Sequence, residues 1–156
     1  MTDKKFMSMA IEKARQGIQA GQTPFGACIV KDGTVIACEH NRVWEDTDIT
    51  AHAEIVAIRS ACQKLGTIDL SGCEIYATTE PCPMCFSAIH WAKIGKIIFG
   101  TNIEDAREAG FNELAISNTE MKEKGSSPVK VEANFMRQEN QELFKEFMAR
   151  PERKTY

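Results

Sequence analysis

The sequence predicts an α/β fold: a three-layer α/β/α sandwich, with helices on both faces of a five-stranded mixed sheet. Three observations predict it. Stretches of helical period alternate with short apolar runs of strand length. Two of those runs have the tight-turn dipeptide Asp32-Gly33 between them, which makes them a hairpin. The resulting order, α-β-β-α-β-α-β-(α)-β-α, puts helices on both sides of one sheet.

Met7, Ile11, Ala14 and Ile18 recur at helical spacing and Gly21 follows as a stop, so the first helix covers about residues 4–20. Ala27 to Val30 and Val35 to Cys38 are the hairpin strands, and Gly33 tolerates the positive φ of the turn. Ile55, Ile58, Cys62 and Leu65 are expected to form the buried face of a second helix that ends at Gly66. Glu74 to Thr78 reads as a strand, Pro83 to Lys93 as a third helix, and Lys96 to Phe99 as another strand. Glu104 to Ala109 reads as a short helix closed by Gly110. Ser117 to Pro128 is polar and contains Gly125-Ser126-Ser127-Pro128, so most of it is expected to be loop. Val129 to Glu132 reads as an edge strand. Leu143, Phe144, Phe147 and Met148 give a last helix one apolar stripe, and Pro151 stops it. One domain over 1–150 is expected, with a tail over 151–156.

Hydrophobic residues make up 43% of the 156 and charged residues 26%, a globular balance that gives no reason to invoke disorder. No apolar run approaches the length of a membrane span. Met1-Thr2-Asp3-Lys4-Lys5 lacks the apolar core of a secretory signal, so a cytoplasmic location is expected. Six cysteines without such a signal do not argue for a disulfide framework. Cys28, Cys38, Cys62 and Cys73 have apolar neighbours and are expected to be buried, reduced thiols. The formal net charge is -3, whereas proteins that grip a long polyanion usually carry a basic surface. Only Arg150, Arg153 and Lys154 cluster, and Glu152 dilutes them. The expected partner is a small molecule rather than a nucleic acid.

The chemistry gathers at two helix starts. Thr50-Ala51-His52-Ala53-Glu54 opens the second helix, and Glu80-Pro81-Cys82-Pro83-Met84-Cys85 opens the third. Cys82 and Cys85, three apart, point the same way from a first helical turn, and Pro83 suits the first helical position. A helix N-terminus favours thiolate over thiol. Two thiolates and the His52 imidazole offer Zn2+ three ligands, and an open fourth position is the mark of a catalytic site. Water at that position is acidified toward neutral pH. Glu54 stands beside it and is the candidate general acid and base. A histidine near a helix start is by itself more often a cap, and C-x-x-C by itself serves redox chemistry or structural zinc equally well. Structural zinc, however, wants a fourth cysteine or histidine ligand. His40 could line a pocket, and His90 reads as structural.

H-x-E followed by P-C-x-x-C is the zinc deaminase signature. At these residues the chain resembles the cytidine/deoxycytidylate deaminase superfamily. The resemblance extends to Pro24-Phe25-Gly26-Ala27, Asn41, Trp91, Ala109-Gly110-Phe111-Asn112-Glu113 and the terminal Lys154-Thr155-Tyr156, which match its bacterial guanine-deaminating branch. It implies the cytidine deaminase-like fold, one zinc per chain, and hydrolysis of guanine to xanthine and ammonia. It also implies substrate contacts from Phe25, Asn41, Ala53, Trp91, Glu113 and Tyr156. The branch often has two acidic residues, beginning with Asp, where this chain has Asn112-Glu113; Glu113 is the favoured contact. A carboxylate there accepts from the N1–H and 2-amino group of guanine and repels the bare N1 of adenine. Asn41 can read a purine edge or simply turn the chain, and Phe25 and Trp91 can stack on a ring or pack the core. The resemblance further implies a homodimer whose C-terminal segment is exchanged, so that Tyr156 closes the partner's pocket. The alternatives are a tRNA adenosine deaminase, a deaminase of guanosine, cytosine or triazine amines, and a zinc-stabilised binding module without activity.

Overall fold

In the computed structural model, which describes residues 2–156, helix and strand residues sort into three layers. The elements are α1 (Lys4–Gln19), β1 (Gly26–Lys31), β2 (Thr34–His40), α2 (Val43–Asp46), α3 (Ala53–Leu65), β3 (Cys73–Thr79), α4 (Pro83–Trp91), β4 (Lys96–Thr101), α5 (Ile103–Glu108), α6 (Asn118–Gly125), β5 (Lys130–Glu132) and α7 (Arg137–Met148). The sheet order is β2-β1-β3-β4-β5. β1 is antiparallel to both β2 and β3, while β3, β4 and β5 run parallel. Asp32 and Gly33 both have positive φ, 48° and 73°, as the hairpin turn requires.

Strand alternation builds two cores. Ala27, Ile29, Ile75, Ala77, Ile97 and Phe99 face α3 and α4. Cys28, Val30, Tyr76 and Ile98 face α1 and α7, where Leu143 and Phe147 are buried. Complete burial of a side chain such as Phe147 contributes about 1.5–3 kcal/mol. Gly26 makes the α1 layer possible, because a Cβ there would collide with the Ala10 carbonyl.

Three expectations need correction. The inward face of α3 is Ala53, Glu54, Ala57 and Ala61; Ile55, Ile58 and Cys62 are half-buried and Leu65 is 38% exposed. Residues 54, 57 and 61 share one helix face, so turning Glu54 inward turns the alanines onto the sheet with it. The segment from Ser117 is not mostly loop but contains α6. The Ser117 hydroxyl accepts from Glu120 N at 3.1 Å and the Glu120 carboxylate accepts from Ser117 N at 2.9 Å, a capping box that supports a helix without an apolar stripe. All six cysteines are free; Cys28 and Cys73 are buried, but Cys38 and Cys62 are only half-buried because each sits at the margin of a core cluster. No helix among the described residues is long and apolar enough to cross a membrane.

Candidate active site

Two helix N-termini converge on one point. His52 is the N-cap of α3 and Cys82 the N-cap of α4, both with extended backbone, and Pro83 is the first residue of α4. The His52 Nδ1 lies 3.6 Å from the Cys82 sulfur and 3.5 Å from the Cys85 sulfur. Tetrahedral zinc bonds of about 2.3 Å to sulfur and about 2.0 Å to nitrogen separate such atoms by roughly 3.5 Å, so the donor set fits Zn2+. The sulfurs differ in protonation. Contact with Cys85 and with His52 holds Cys82 down at about 4 against the effect of burial. Burial pushes Cys85 up, and its contact with Cys82 adds to this. One thiolate is thus ready, and a divalent cation would displace the proton on the other.

Glu54 sits in the first turn of α3, 7% exposed. Its Oε2 accepts from the Cys85 sulfur at 3.5 Å. Burial pushes its carboxyl up to about 7, with His52 pulling the other way. A carboxyl in that range can take up and return a proton near neutral pH.

The site opens through an outer cavity of about 250 Å³ that His52, Cys82, Asn112, Glu113 and Tyr156 help to line. Behind it lies an inner cavity of about 20 Å³, bordered by Phe25, Asn41, Glu54, Glu80, Glu113 and Tyr156. That inner volume holds about one water. Tyr156, with His52, Cys82 and Glu113, borders both. Its hydroxyl accepts from the Asn41 amide at 2.7 Å, and its ring lies 5.5 Å from His52 and 5.2 Å from Phe111 between centroids. The Asn112 N–H donates to the Tyr156 carbonyl at 2.9 Å. Further back, the Trp44 indole N–H donates to the Lys154 carbonyl at 3.3 Å and the Lys154 ammonium lies over the Trp44 ring.

Residues 1–101 match the cytidine and deoxycytidylate deaminase zinc-binding region. The chain belongs to that deaminase family. It is 46% identical over 117 residues to a guanine deaminase of Bacillus subtilis, covering 74% of this chain and 75% of that protein. It is also 46% identical over 99 residues to a tRNA-specific adenosine deaminase of Aquifex aeolicus, covering 64% and 66%. A solved guanine deaminase structure from Nitrosomonas europaea superposes with a TM-score of 0.86 at 30% identity, covering 96% of this chain and 87% of that one.

The fold of this deaminase brings His52, Glu54, Cys82, Cys85, Phe25, Asn41, Glu113 and Tyr156 together. Glu113 borders both cavities, whereas Asn112 reaches only the outer one. Burial pushes the Glu113 carboxyl up to about 7, with the charges of Cys82 and Glu54 adding to the effect. Phe25 both borders the inner cavity and packs edge-on against Phe111 at 4.9 Å.

Two expected contacts are not brought to the site. Trp91 is 82% exposed at the far end of α4, roughly 13 Å along the axis from Cys82, and neither stacks in the pocket nor packs the core. The Ala53 side chain is buried in the sheet-facing core and lines neither cavity. His40 packs against Gly17 and bonds to the Asn41 carbonyl through Nδ1, so it is not a pocket wall. His90 pairs with Ser127 at 2.8 Å. In the single chain described, Tyr156 lies against Asn41 and Asn112 of the same chain; exchange between two subunits belongs to the proposed homodimer. Glu80, buried on the inner cavity, was not singled out, although an acid just before Pro81-Cys82 was there to be read.

Proposed function

We propose that this deaminase hydrolyses a free purine base, guanine, to xanthine and ammonia. The observation that carries the reading is the pair of carboxylates, Glu54 and Glu113, on one inner cavity with the Asn41 amide. Zinc held by His52, Cys82 and Cys85 supplies the acidity that makes water a nucleophile near neutral pH. Glu54 takes one proton of the attacking water and passes it to the ring nitrogen, then takes the second from the hydroxyl added to C2 and passes it to the amine, which leaves as ammonia as C2 becomes a carbonyl. Glu113 accepts from the N1–H and 2-amino edge of guanine; adenine offers no N1–H and would leave the carboxylate unpaired, at a cost of roughly 1–3 kcal/mol or more. Asn41 contributes a donor and an acceptor to the purine edge once the Tyr156 hydroxyl releases it.

The similarity to the Bacillus subtilis guanine deaminase supports this reading, and so does the net charge of -3. The equal identity to a tRNA-specific adenosine deaminase supports a second reading, adenosine deamination in a tRNA. A closed Tyr156 tail favours the free base, since a base joined to a polynucleotide needs an open mouth. A homodimer is part of the proposal and sedimentation tests it.

The deciding experiment is ammonia release from guanine, guanosine, adenine, cytosine, cytidine and a tRNA anticodon hairpin. Guanine is expected to have the highest kcat/KM. Efficient hairpin deamination with no turnover of guanine would replace the first reading with the second.

A further inference from the structure

Glu80 is 9% exposed and has no ion-pair partner among the described residues. A buried carboxylate in that position must be satisfied by hydrogen bonds. Its two oxygens go to two different elements. Oε1 accepts from Ile103 N at 3.1 Å and Oε2 accepts from Asn118 N at 2.9 Å. Those are the first residues of α5 and of α6. The Asn118 amide donates back to the Pro81 carbonyl at 2.6 Å, and Glu80 N donates to the Thr101 carbonyl at 2.7 Å. The corner just before Cys82 is therefore bound to both ends of the segment 103–118.

That segment carries Glu113. Its own backbone bonds are short-range: Phe111 N to the Ala106 carbonyl, Glu113 N to the Phe111 carbonyl and Ile116 N to the Leu114 carbonyl. They shape the loop, and Phe111 seats its middle against Phe25 and Phe147, while its two ends are held to the Cys82 corner by Glu80. Asn112 ties it only to the C-terminal tail. A carboxylate suits the clamp, having two acceptor oxygens and no donor, and bonds to a charged acceptor are roughly twice as strong as neutral ones.

We propose that Glu80 is a positioning residue for Glu113: one buried carboxylate clamps both ends of the segment that carries the base-reading acid to the corner that carries Cys82. The separation of Glu113 from the metal ligands is set through that clamp. The proposal rests on the reading of Glu113 as the guanine contact, and its test separates the two.

The test uses zinc-loaded Glu80→Gln protein. The amide keeps one acceptor and turns an NH2 toward a backbone N–H, leaving a buried donor unpaired. Zinc content is expected to stay at the wild-type level. Hydrogen exchange at Ile103, Asn118 and residues 109–117 is expected to quicken about 10-fold or more, with the sheet unchanged. The guanine KM is expected to rise about 10-fold with kcat within about 3-fold, and the same change in a Glu113→Gln background is expected to add no further loss in kcat/KM. Unchanged loop exchange, or losses that simply add, would overturn the clamp. If Glu80→Gln fails to fold, Glu80→Asp keeps both acceptors but is one methylene shorter, so it cannot reach both helix starts, and is expected to give the same pattern; wild-type exchange and KM in that variant would also overturn it. A loosened loop with Glu113→Gln at wild-type guanine kinetics would leave the clamp standing and remove the guanine reading. An impaired Glu113→Gln beside a Glu80→Gln of normal exchange and KM would do the reverse.

Discussion

The Asn41 amide donates a 2.7 Å hydrogen bond to the hydroxyl of Tyr156, 115 residues later in the chain. The other end of that amide is fixed, because Asn41 Oδ1 accepts from Val43 N at 3.0 Å. Tyr156 therefore takes one of the two N–H donors of a fully buried side chain on the inner cavity.

Deleting residues 152–156 is expected to leave folding and zinc content intact and to lower guanine turnover about 10-fold or more, because the pocket loses its wall and admits bulk water. In the single chain described, the tail bonds to its own Asn41. Mixing tail-deleted protein with full-length Glu54→Gln protein is therefore expected to restore no activity. Recovery in the mixture would show that the segment crosses between subunits.

Glu54→Gln is expected to keep zinc, since Glu54 is not one of the three donors, and to lose about 10²–10⁴-fold in kcat. Cys82→Ala combined with Cys85→Ala is expected to lose the metal and, with it, the stability that binding confers on the folded chain. Metal analysis beside steady-state kinetics separates the two effects. Near-normal turnover in zinc-loaded Glu54→Gln protein would remove Glu54 from the mechanism.

Arg137 and Asp105 make a pH-dependent contribution to stability. The guanidinium donates to both Asp105 oxygens at 2.8 and 2.9 Å, joining the start of α7 to α5. Burial, the largest single influence, raises the Asp105 carboxyl, but Arg137 and the Asn102 N–H together outweigh it and hold it below its usual range. A depressed carboxylate stabilises the fold above its unfolded pKa of about 4 and loses that contribution as pH falls through the lower folded value. Arg137→Met is expected to cost about 1–2 kcal/mol near pH 7, the pair being partly exposed, and progressively less below about pH 4. Denaturant midpoints of both proteins across that range measure it. A gap that stays constant with pH would show that Arg137 acts through packing alone.

The metal centre was legible in the sequence because its determinants are local. Spacing within a first helical turn aligns Cys82 with Cys85, Pro83 marks the helix start, and His52-Ala53-Glu54 lies at another. The hairpin at Asp32-Gly33 and the stop at Gly66 were legible for the same reason, since backbone φ preferences act on single residues. Periodicity failed where packing chose against hydrophobicity. In α3 it selected the isoleucines, yet close approach to the sheet and the inward turn of Glu54 buried Ala57 and Ala61. In α6 no apolar stripe existed to be read, and the helix is supported by the Ser117–Glu120 box and by Glu80. Trp91 was misread because an aromatic late in a helix has the same sequence pattern whether it faces a pocket or solvent. By itself, then, the sequence determined the family, the metal donors and the α/β layering, all set by short-range geometry and alternation. Only the tertiary structure decided that Glu113 rather than Asn112 reaches the inner cavity, that Tyr156 bonds to Asn41 of its own chain, and that Glu80 joins two helix starts to the Cys82 corner. Those relationships span from 23 to 115 residues, and no local preference encodes them. They follow from how the loops and the tail pack once the sheet has brought its ends together.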